Sequence, residues 1–393
     1  MWHYYAMSTA DENAAKHLSR TSLRDFGPPV PTDDKAATYA THVLKIMPHE
    51  APLPVLLRHA LDLIGIPHHG PWEKVAWWVE FQYQGHSCSL SYEKFGLRLR
   101  VRGDLTKERA DRILLEIRKK LNTAGRTVEK LLSKKAHNAI NSGNVTVANQ
   151  YRRLRRAYDY FRQRAVNPDF VEDIHEQMEG DGIVKSWSHH VCGKSVMDLN
   201  ASHDLVASIS AYLSVLEHCF VLILPFHDFD PSSDELTQII GDRWGDKWRR
   251  VIGVSDKESK RLRERLGEVV EQWRNPYSHG GFEKGYGATV YVHMEGLGAL
   301  PVGMSSILDS PRFSFFPLSE TDLSKVFGLF DDIDAYLVRT FPHAMAWIES
   351  GLDVRFDEEF ISQVSHSIEN YGNVKRLIEI QSYLDDRAAN MDY

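Results

Sequence analysis

The sequence predicts a mainly α protein, in which a smaller α+β domain with a three-stranded antiparallel sheet precedes a C-terminal helical bundle with a small β insert. Three observations lead to this prediction. Residues 74–102 alternate apolar and polar side chains, the period of strands that are buried on one face. Residues 205–226 are mostly apolar over the length of a long helix. Residues 255–273 repeat apolar side chains at helical spacing.

The predicted N-terminal domain covers residues 1–166 and contains the sheet and several basic helices. A loop at 28–31 and a short helix at 34–47 precede the sheet. Arg98, Arg100 and Arg102 alternate with apolar residues in the third strand of the meander, so one face of the predicted sheet is basic. Helices are predicted from residue 106, from 127 to 140 and from 145 to 166.

The remainder of the chain is predicted to be helical. Residues 167–200 contain an Asn-Pro pair and scattered glycines, so we expect a linker there. The bundle is predicted over 201–352, interrupted by β-rich residues 288–316. A C-terminal helical tail is predicted over 353–393.

Composition indicates a cytoplasmic protein. The 393 residues include three cysteines, too few for a disulfide framework and consistent with a reducing compartment. The first seven residues lack the basic and apolar regions of a secretion signal. Glu217 and His218 interrupt the apolar stretch 205–226. Because charges at membrane depth are costly, this stretch predicts a central bundle helix, and no membrane association is expected.

Positive charge is concentrated in one segment, although the net charge is −7. Residues 94–164 hold 20 Lys and Arg against 6 Asp and Glu. The densest cluster is Arg152, Arg153, Arg155 and Arg156, interleaved with aromatic residues. Basic and aromatic side chains together are suited to single-stranded RNA, so these four arginines are predicted to bind RNA. The alternative is a solvated helix face, or a face that meets the acidic bundle of the same or another subunit.

The six residues from Arg274 to His279 read Arg-Asn-Pro-Tyr-Ser-His and follow a predicted amphipathic helix. Ser255 and Glu258 have capping-box spacing at the start of that helix. At its end, Pro276 is expected to bias Asn275 away from helical geometry and to turn the chain. An arginine supplies a fixed positive fork for a phosphate, and a histidine transfers a proton near neutral pH.

These residues resemble the motif of the HEPN superfamily, whose ribonuclease members carry R-N-x-x-x-H. The resemblance covers about 200–350 and is carried by Arg274, Asn275 and His279, by the preceding amphipathic helix, and by the long helix that contains Ser214–His218. It implies an up-and-down bundle of four or five helices. It also implies metal-independent RNA cleavage, often in a site shared by two subunits, in phage defence or as a toxin. Gly281 replaces the tyrosine of one toxin subfamily, so that subfamily is not indicated.

The resemblance assigns a role to each candidate residue. His279 would act as general base or acid, Arg274 would stabilise charge on the phosphate, and Asn275 would position the phosphate or Arg274. Tyr277 either stacks on a base or packs in the turn. Glu217 either holds Arg274 or pairs with another bundle residue. One histidine handles only one proton, so we expect a homodimer with a composite site.

No cofactor and no metal are expected, because the spacings around His86 and Cys88, and around His189, His190 and Cys192, match no standard zinc pattern. The expected partners are RNA, a second copy of the chain and a regulatory or inhibitor protein. The alternative function is a non-catalytic helical module that binds nucleic acid or a partner protein.

Overall fold

The computed structural model describes residues 8–30, 40–51, 53–141, 143–180, 186–275, 289–303, 312–313 and 320–392. The chain divides into two compact units. Unit 1 comprises residues 1–140 and 379–393, and unit 2 comprises residues 141–378. Each unit has its own cluster of buried apolar side chains.

Unit 1 combines an antiparallel sheet with helices. Its helices are α1 (Thr9–Arg20), α2 (Pro54–Leu63) and α3 (Lys107–Asn141, whose last residue falls in unit 2). Its strands are β1 (Phe26–Gly27), β2 (Thr41–Ile46), β3 (His68–His69), β4 (Val75–Tyr83), β5 (His86–Glu93) and β6 (Gly96–Arg102). The strand order is β1-β4-β5-β6-β2, with β3 also paired to β4.

The predicted antiparallel sheet is confirmed, but it has six strands rather than three. Strands β4, β5 and β6 form the expected meander. Their inward side chains, such as Val79, Leu90 and Leu99, are fully buried in one cluster with apolar residues of α1, α2 and α3. The prediction of a helix at 34–47 was wrong for 41–46, which form β2. Alternating exposure along β2 has the period of a strand, and the strand pairs with β6.

Unit 2 is mainly helical, as predicted for the C-terminal region. Its helices are α4 (Tyr151–Val166), α5 (Gly193–Ile223), α6 (Leu236–Gly241), α7 (Trp244–Val251), α8 (Lys257–Val269), α9 (Glu320–Thr340), α10 (Pro342–Ser350), α11 (Glu358–Tyr371) and the start of α12 (Lys375–Asn390). Its strands are β7 (Thr146–Val147), β8 (Ile174–Glu179), β9 (Ser186–Val191), β10 (Thr289–Met294), β11 (Gly298–Gly303), β12 (Arg312–Phe313) and β13 (Val354–Arg355).

Helix α5 lies at the centre of unit 2. It packs against α4, α7 and α10, and its apolar residues between Leu205 and Ile223 are largely buried. Tyr212 of α5 stacks on Phe330 of α9 with ring centroids 4.0 Å apart, and Tyr158 of α4 lies against both rings. Gly193–Phe226 is the one described segment that is long and apolar enough to cross a membrane, and 61% of its most apolar window is buried within the protein.

The compact units differ from the predicted domains. Helix α4, which the prediction assigned to the N-terminal domain, packs along α5 and belongs to unit 2. The two helices predicted between 106 and 140 form the single helix α3. Residues 167–200, predicted to be a linker, contain the β8–β9 hairpin and the start of α5. These assignments depend on contacts between distant residues, which local glycine and proline signals do not report.

Candidate functional site

The Arg274 motif begins where helix α8 changes its winding. Asp256 caps α8, and its carboxylate accepts a hydrogen bond from the Ser259 backbone N–H at 2.8 Å. The predicted cap at Ser255 was therefore one residue too early. After α8, residues Val270–Arg274 form a π-helical turn that packs against α5. Such turns are uncommon and recur at functional sites, because the wider winding re-aims the side chains that follow.

Asn275 continues this turn instead of leaving it. Its φ of −66° and ψ of −46° are helical, and its backbone N–H donates to the carbonyl of Val270, five residues earlier. The expectation that Pro276 would push Asn275 out of helical geometry was therefore wrong. A residue before proline is disfavoured in helical geometry, but this hydrogen bond offsets the preference.

Arg274 and Asn275 are half-buried neighbours. Arg274 Nη1 donates a hydrogen bond to Asn275 Oδ1 at 3.2 Å. Within the described ranges, no carboxylate forms an ion pair with Arg274. Tyr277 and His279 lie outside the described residues, so the structure brings together only the first two members of the motif.

Glu217 is engaged by a lysine rather than by Arg274. Glu217 Oε2 accepts a hydrogen bond from Lys247 Nζ of α7 at 2.7 Å. The Lys247 side chain is only 5% exposed, whereas that of Glu217 is 35% exposed. A buried ammonium is costly without a partner, so this pair neutralises Lys247. Of the two alternatives predicted for Glu217, the structure shows the second, in which Glu217 pairs with a bundle residue other than Arg274.

The arginines of α4 divide by what they contact. Arg155 donates to Asp334 Oδ2 at 2.5 Å. Arg162 binds Asp331 through two hydrogen bonds, and Arg164 binds Asp204 and Asp169. Arg152 donates to the carbonyls of Glu349 and Ser350, the C-terminal end of α10, where a cation is favourable.

Two of the predicted RNA-binding arginines are exposed and have no described ion pair. Among the described residues, the one hydrogen bond of the Arg153 side chain is to the side chain of Gln150, three residues earlier. Arg156 has no described ion pair. Arg152 is exposed but donates hydrogen bonds to the C-terminal end of α10, and Arg155 forms an ion pair with Asp334. If α4 contacts phosphates, Arg153 and Arg156 are therefore the side chains free to do so.

His218, on α5, forms a contact that sequence analysis missed. Its Nε2 accepts the backbone N–H of Gln150 at 2.9 Å, immediately before α4 begins. Burial, with a smaller contribution from the charge of Arg153, lowers the pKa of His218 below its ordinary value of 6.5. The neutral ring thus supplies a hydrogen-bond acceptor to an N–H group at the start of α4. The position of His218 in an apolar stretch of sequence indicated that it would be buried, but the sequence did not indicate that its partner would be Gln150.

Stability at mildly acidic pH should reveal the His218 contact. The pKa of His218 is lower in the folded than in the unfolded chain, so the unfolded chain binds more protons as the pH falls below about 6.5. The contribution of His218 is therefore present above that pH and is lost as the pH falls through the folded-state pKa. His218→Gln, which keeps an acceptor but does not titrate, should show a smaller loss of unfolding free energy on acidification than the wild type. Equal losses in denaturant titrations of both proteins would contradict this assignment.

No described residues assemble a metal site, since no three His, Cys, Asp or Glu side chains converge in the described part of the chain. Comparison of the chain with protein-family models, with curated proteins and with solved structures finds no match.

Proposed function

We propose that the chain is a metal-independent endoribonuclease and that unit 2 is a bundle of the HEPN type. The observation that carries the proposal is the hydrogen-bonded pair Arg274–Asn275 at the end of a helix, with His279 four residues after Asn275 in the sequence. A half-buried arginine without a described carboxylate partner retains its charge for an anion. RNA provides that anion in its phosphates.

In the proposed reaction, the ribose 2′-hydroxyl attacks the adjacent phosphorus and the 5′-oxygen leaves. His279 removes the proton from the hydroxyl or returns one to the leaving oxygen. The guanidinium of Arg274 donates to the phosphate oxygens, which gain charge in the transition state. Asn275 Oδ1 already accepts a hydrogen bond from Arg274 and so orients the guanidinium. Glu217 is left out of the proposed site, because its described partner is Lys247.

The proposed site is completed by a second copy of the chain. The reaction needs one proton acceptor and one proton donor, and the motif contains a single histidine. A two-fold axis would place two copies of His279 at one phosphate. A role in phage defence or as a toxin, in the cytoplasm and under a regulatory or inhibitor protein, is part of the same proposal.

The proposal is tested by incubating the purified chain with total RNA without added metal. We expect fragments from the wild type and none from His279→Ala. A wild-type chain that leaves all RNA intact would instead favour the non-catalytic binding module.

The exposed arginines of α4 give a prediction about substrate binding. Replacing Arg153 and Arg156 together by glutamine should weaken RNA binding. It should also make the slope of log affinity against log salt less negative by about 1.4, because each contact with a single-strand phosphate contributes about 0.7. Titrations at several salt concentrations measure this slope.

The matched control is Arg162→Gln on the same helix. Arg162 is already paired with Asp331, so its replacement should leave the salt slope unchanged. If the double variant binds RNA with the slope of the wild type, α4 is not part of the RNA interface.

A further inference from the structure

Unit 1 has an open groove on the outer face of its sheet. The groove has a volume of about 510 Å³ and follows β5. Its floor is formed by Ser89 and Ser91, which lie between the larger outward side chains of β4 and β6. Adjacent strands are about 4.8 Å apart, so the two walls stand about 10 Å apart. The serines make a trough because they are the small residues between two rows of long side chains.

One wall of the groove is aromatic. Trp78 projects from β4 and has the ring of His69 beside it, with centroids 5.6 Å apart. Trp72 precedes β4 and is 70% exposed. A large aromatic side chain left in water beside polar groups is typical of a binding surface.

Trp72 is exposed on an ordered turn. Its backbone N–H and carbonyl both bond to Val75, each at 2.9 Å. Gly70 allows this turn to lie against β4: its φ is +111°, and a Cβ atom there would be 3.0 Å from Ala76 O and Trp77 Cα. The chain therefore fixes the backbone position of Trp72 while leaving its side chain largely exposed.

On the side opposite Trp78, the groove is lined by one cation, Arg100 of β6. Arg100 Nη1 donates to Ser91 Oγ at 2.6 Å, and Nη2 donates to Glu93 Oε1 at 2.5 Å. Glu93 also pairs with Arg98, so one carboxylate is shared by two guanidinium groups. Burial opposes ionisation of Glu93, but hydrogen bonds from Arg100 and Ser91 and the charges of both arginines lower its pKa. The two arginines are thus held in fixed positions with net positive charge.

The cationic row extends beyond the groove. Arg102 lies next along β6, and Lys45 of β2 stands opposite Arg98. Four outward cations therefore lie along β6 and β2. Of these, Arg100 lines the groove itself, together with the carboxylates Glu80 and Glu93 of β4 and β5. An unpaired negative charge on a ligand would be drawn to the β6 side, while a flat apolar ring would be favoured on the tryptophan side.

We propose that this groove binds single-stranded nucleic acid, with bases stacked on Trp72 and Trp78 and phosphates directed to the arginines of β6. Aromatic rings on an open sheet face stack on bases of any sequence, and neighbouring cations follow the backbone. A duplex offers no free base faces to the tryptophans. An extended peptide would add to a sheet edge rather than lie on its face, and a neutral glycan would not need the cationic row.

The choice of RNA over DNA as the ligand rests on the proposed function. The proposal that the groove binds a single strand does not depend on that function. The test therefore measures binding, and it uses the 393-residue chain with His279→Ala so that no cleavage occurs. The probe is a fluorescein-labelled single-stranded RNA of about 12 nucleotides, within the range bound by known single-strand sites. Anisotropy titrations at low and high salt give the affinity.

Trp72→Ala and Trp78→Ala should each bind this RNA about 5- to 150-fold more weakly, the usual effect of losing one base–aromatic stack. Trp72→Ala is the easier variant to interpret, because its indole is 70% exposed and contributes little to packing. The matched control is Trp187→Ala, which removes a 60% exposed tryptophan of the β8–β9 hairpin and should bind as the parent does. Affinity should fall as salt rises, and the same sequence as a duplex should compete poorly.

Unchanged affinity in both tryptophan variants would overturn the proposal, as would equal competition by the duplex or binding that does not respond to salt. The outcome is separable from that of the proposed function. Tryptophan-dependent binding by a chain that never cuts RNA would support the groove and refute the nuclease. Cleavage by a chain whose RNA affinity is the same with and without Trp72 and Trp78 would support the nuclease and refute the groove.

Discussion

Replacing Arg274 by alanine is expected to lower the rate of RNA cleavage at least about 100-fold, the usual minimum loss when one group that stabilises transition-state charge is removed. The fold should change little, because the described contact of the guanidinium is with its neighbour Asn275. We expect a shift in unfolding free energy of about 1 kcal/mol, typical of point variants. Arg274→Lys keeps the charge but loses the planar fork, so it should restore only part of the activity.

Arg261→Ala provides the matched control for this prediction. Arg261 is an exposed arginine on α8, the helix that leads to Arg274. Its removal is the same chemical change at a site with no proposed role, and cleavage should be retained. Comparable losses in both variants would mean that the arginines act through general attraction of RNA rather than through the reacting phosphate. Unfolding of Arg274→Ala would make the residue structural.

Replacing Leu266 by alanine should have the largest effect on stability. Leu266 is fully buried on the core face of α8, in the same cluster as Trp248 and Phe330. The truncation removes apolar contacts and leaves a cavity, which costs about 2–5 kcal/mol. Denaturant titration of the wild type and of the variant measures this loss.

The control for this prediction is the exposed residue Lys260, on the same helix. Lys260→Ala should change the unfolding free energy by less than about 0.5 kcal/mol, as is usual for surface positions. If Leu266→Ala is as mild as this control, α8 does not contribute its apolar face to a tightly packed core.

The spacing of apolar residues predicted those strands and helices that are long enough to show a period. The alternation in β4, β5 and β6 is visible in the sequence because each strand buries one face. The two-residue strands β1 and β3 have no such pattern, since two residues show no period; they form by pairing with β4. The row of buried apolar residues on α8 was likewise predicted. The π-helical turn after it was not, because α-helical and π-helical winding accept the same residue types.

The candidate site was predictable only where its residues are close in sequence. Arg274 and Asn275 are adjacent, so their contact follows from the motif. The partner of Arg155, by contrast, is Asp334, 179 residues later, and charge density along α4 carries no information about it. The groove of unit 1 could not be predicted without the pairing register of β4, β5 and β6, because that register places the serines of β5 between a tryptophan of β4 and an arginine of β6.

The chemistry of the RNA ends tests the central claim most directly. A defined RNA oligonucleotide is incubated with the wild-type chain and with His279→Ala in the presence of a metal chelator, and the product ends are identified by mass spectrometry. Attack by the 2′-hydroxyl predicts fragments that end in a 2′,3′-cyclic phosphate and begin with a 5′-hydroxyl, from the wild type alone. Fragments with 5′-phosphate ends, or cleavage that stops when the chelator is added, would contradict the account.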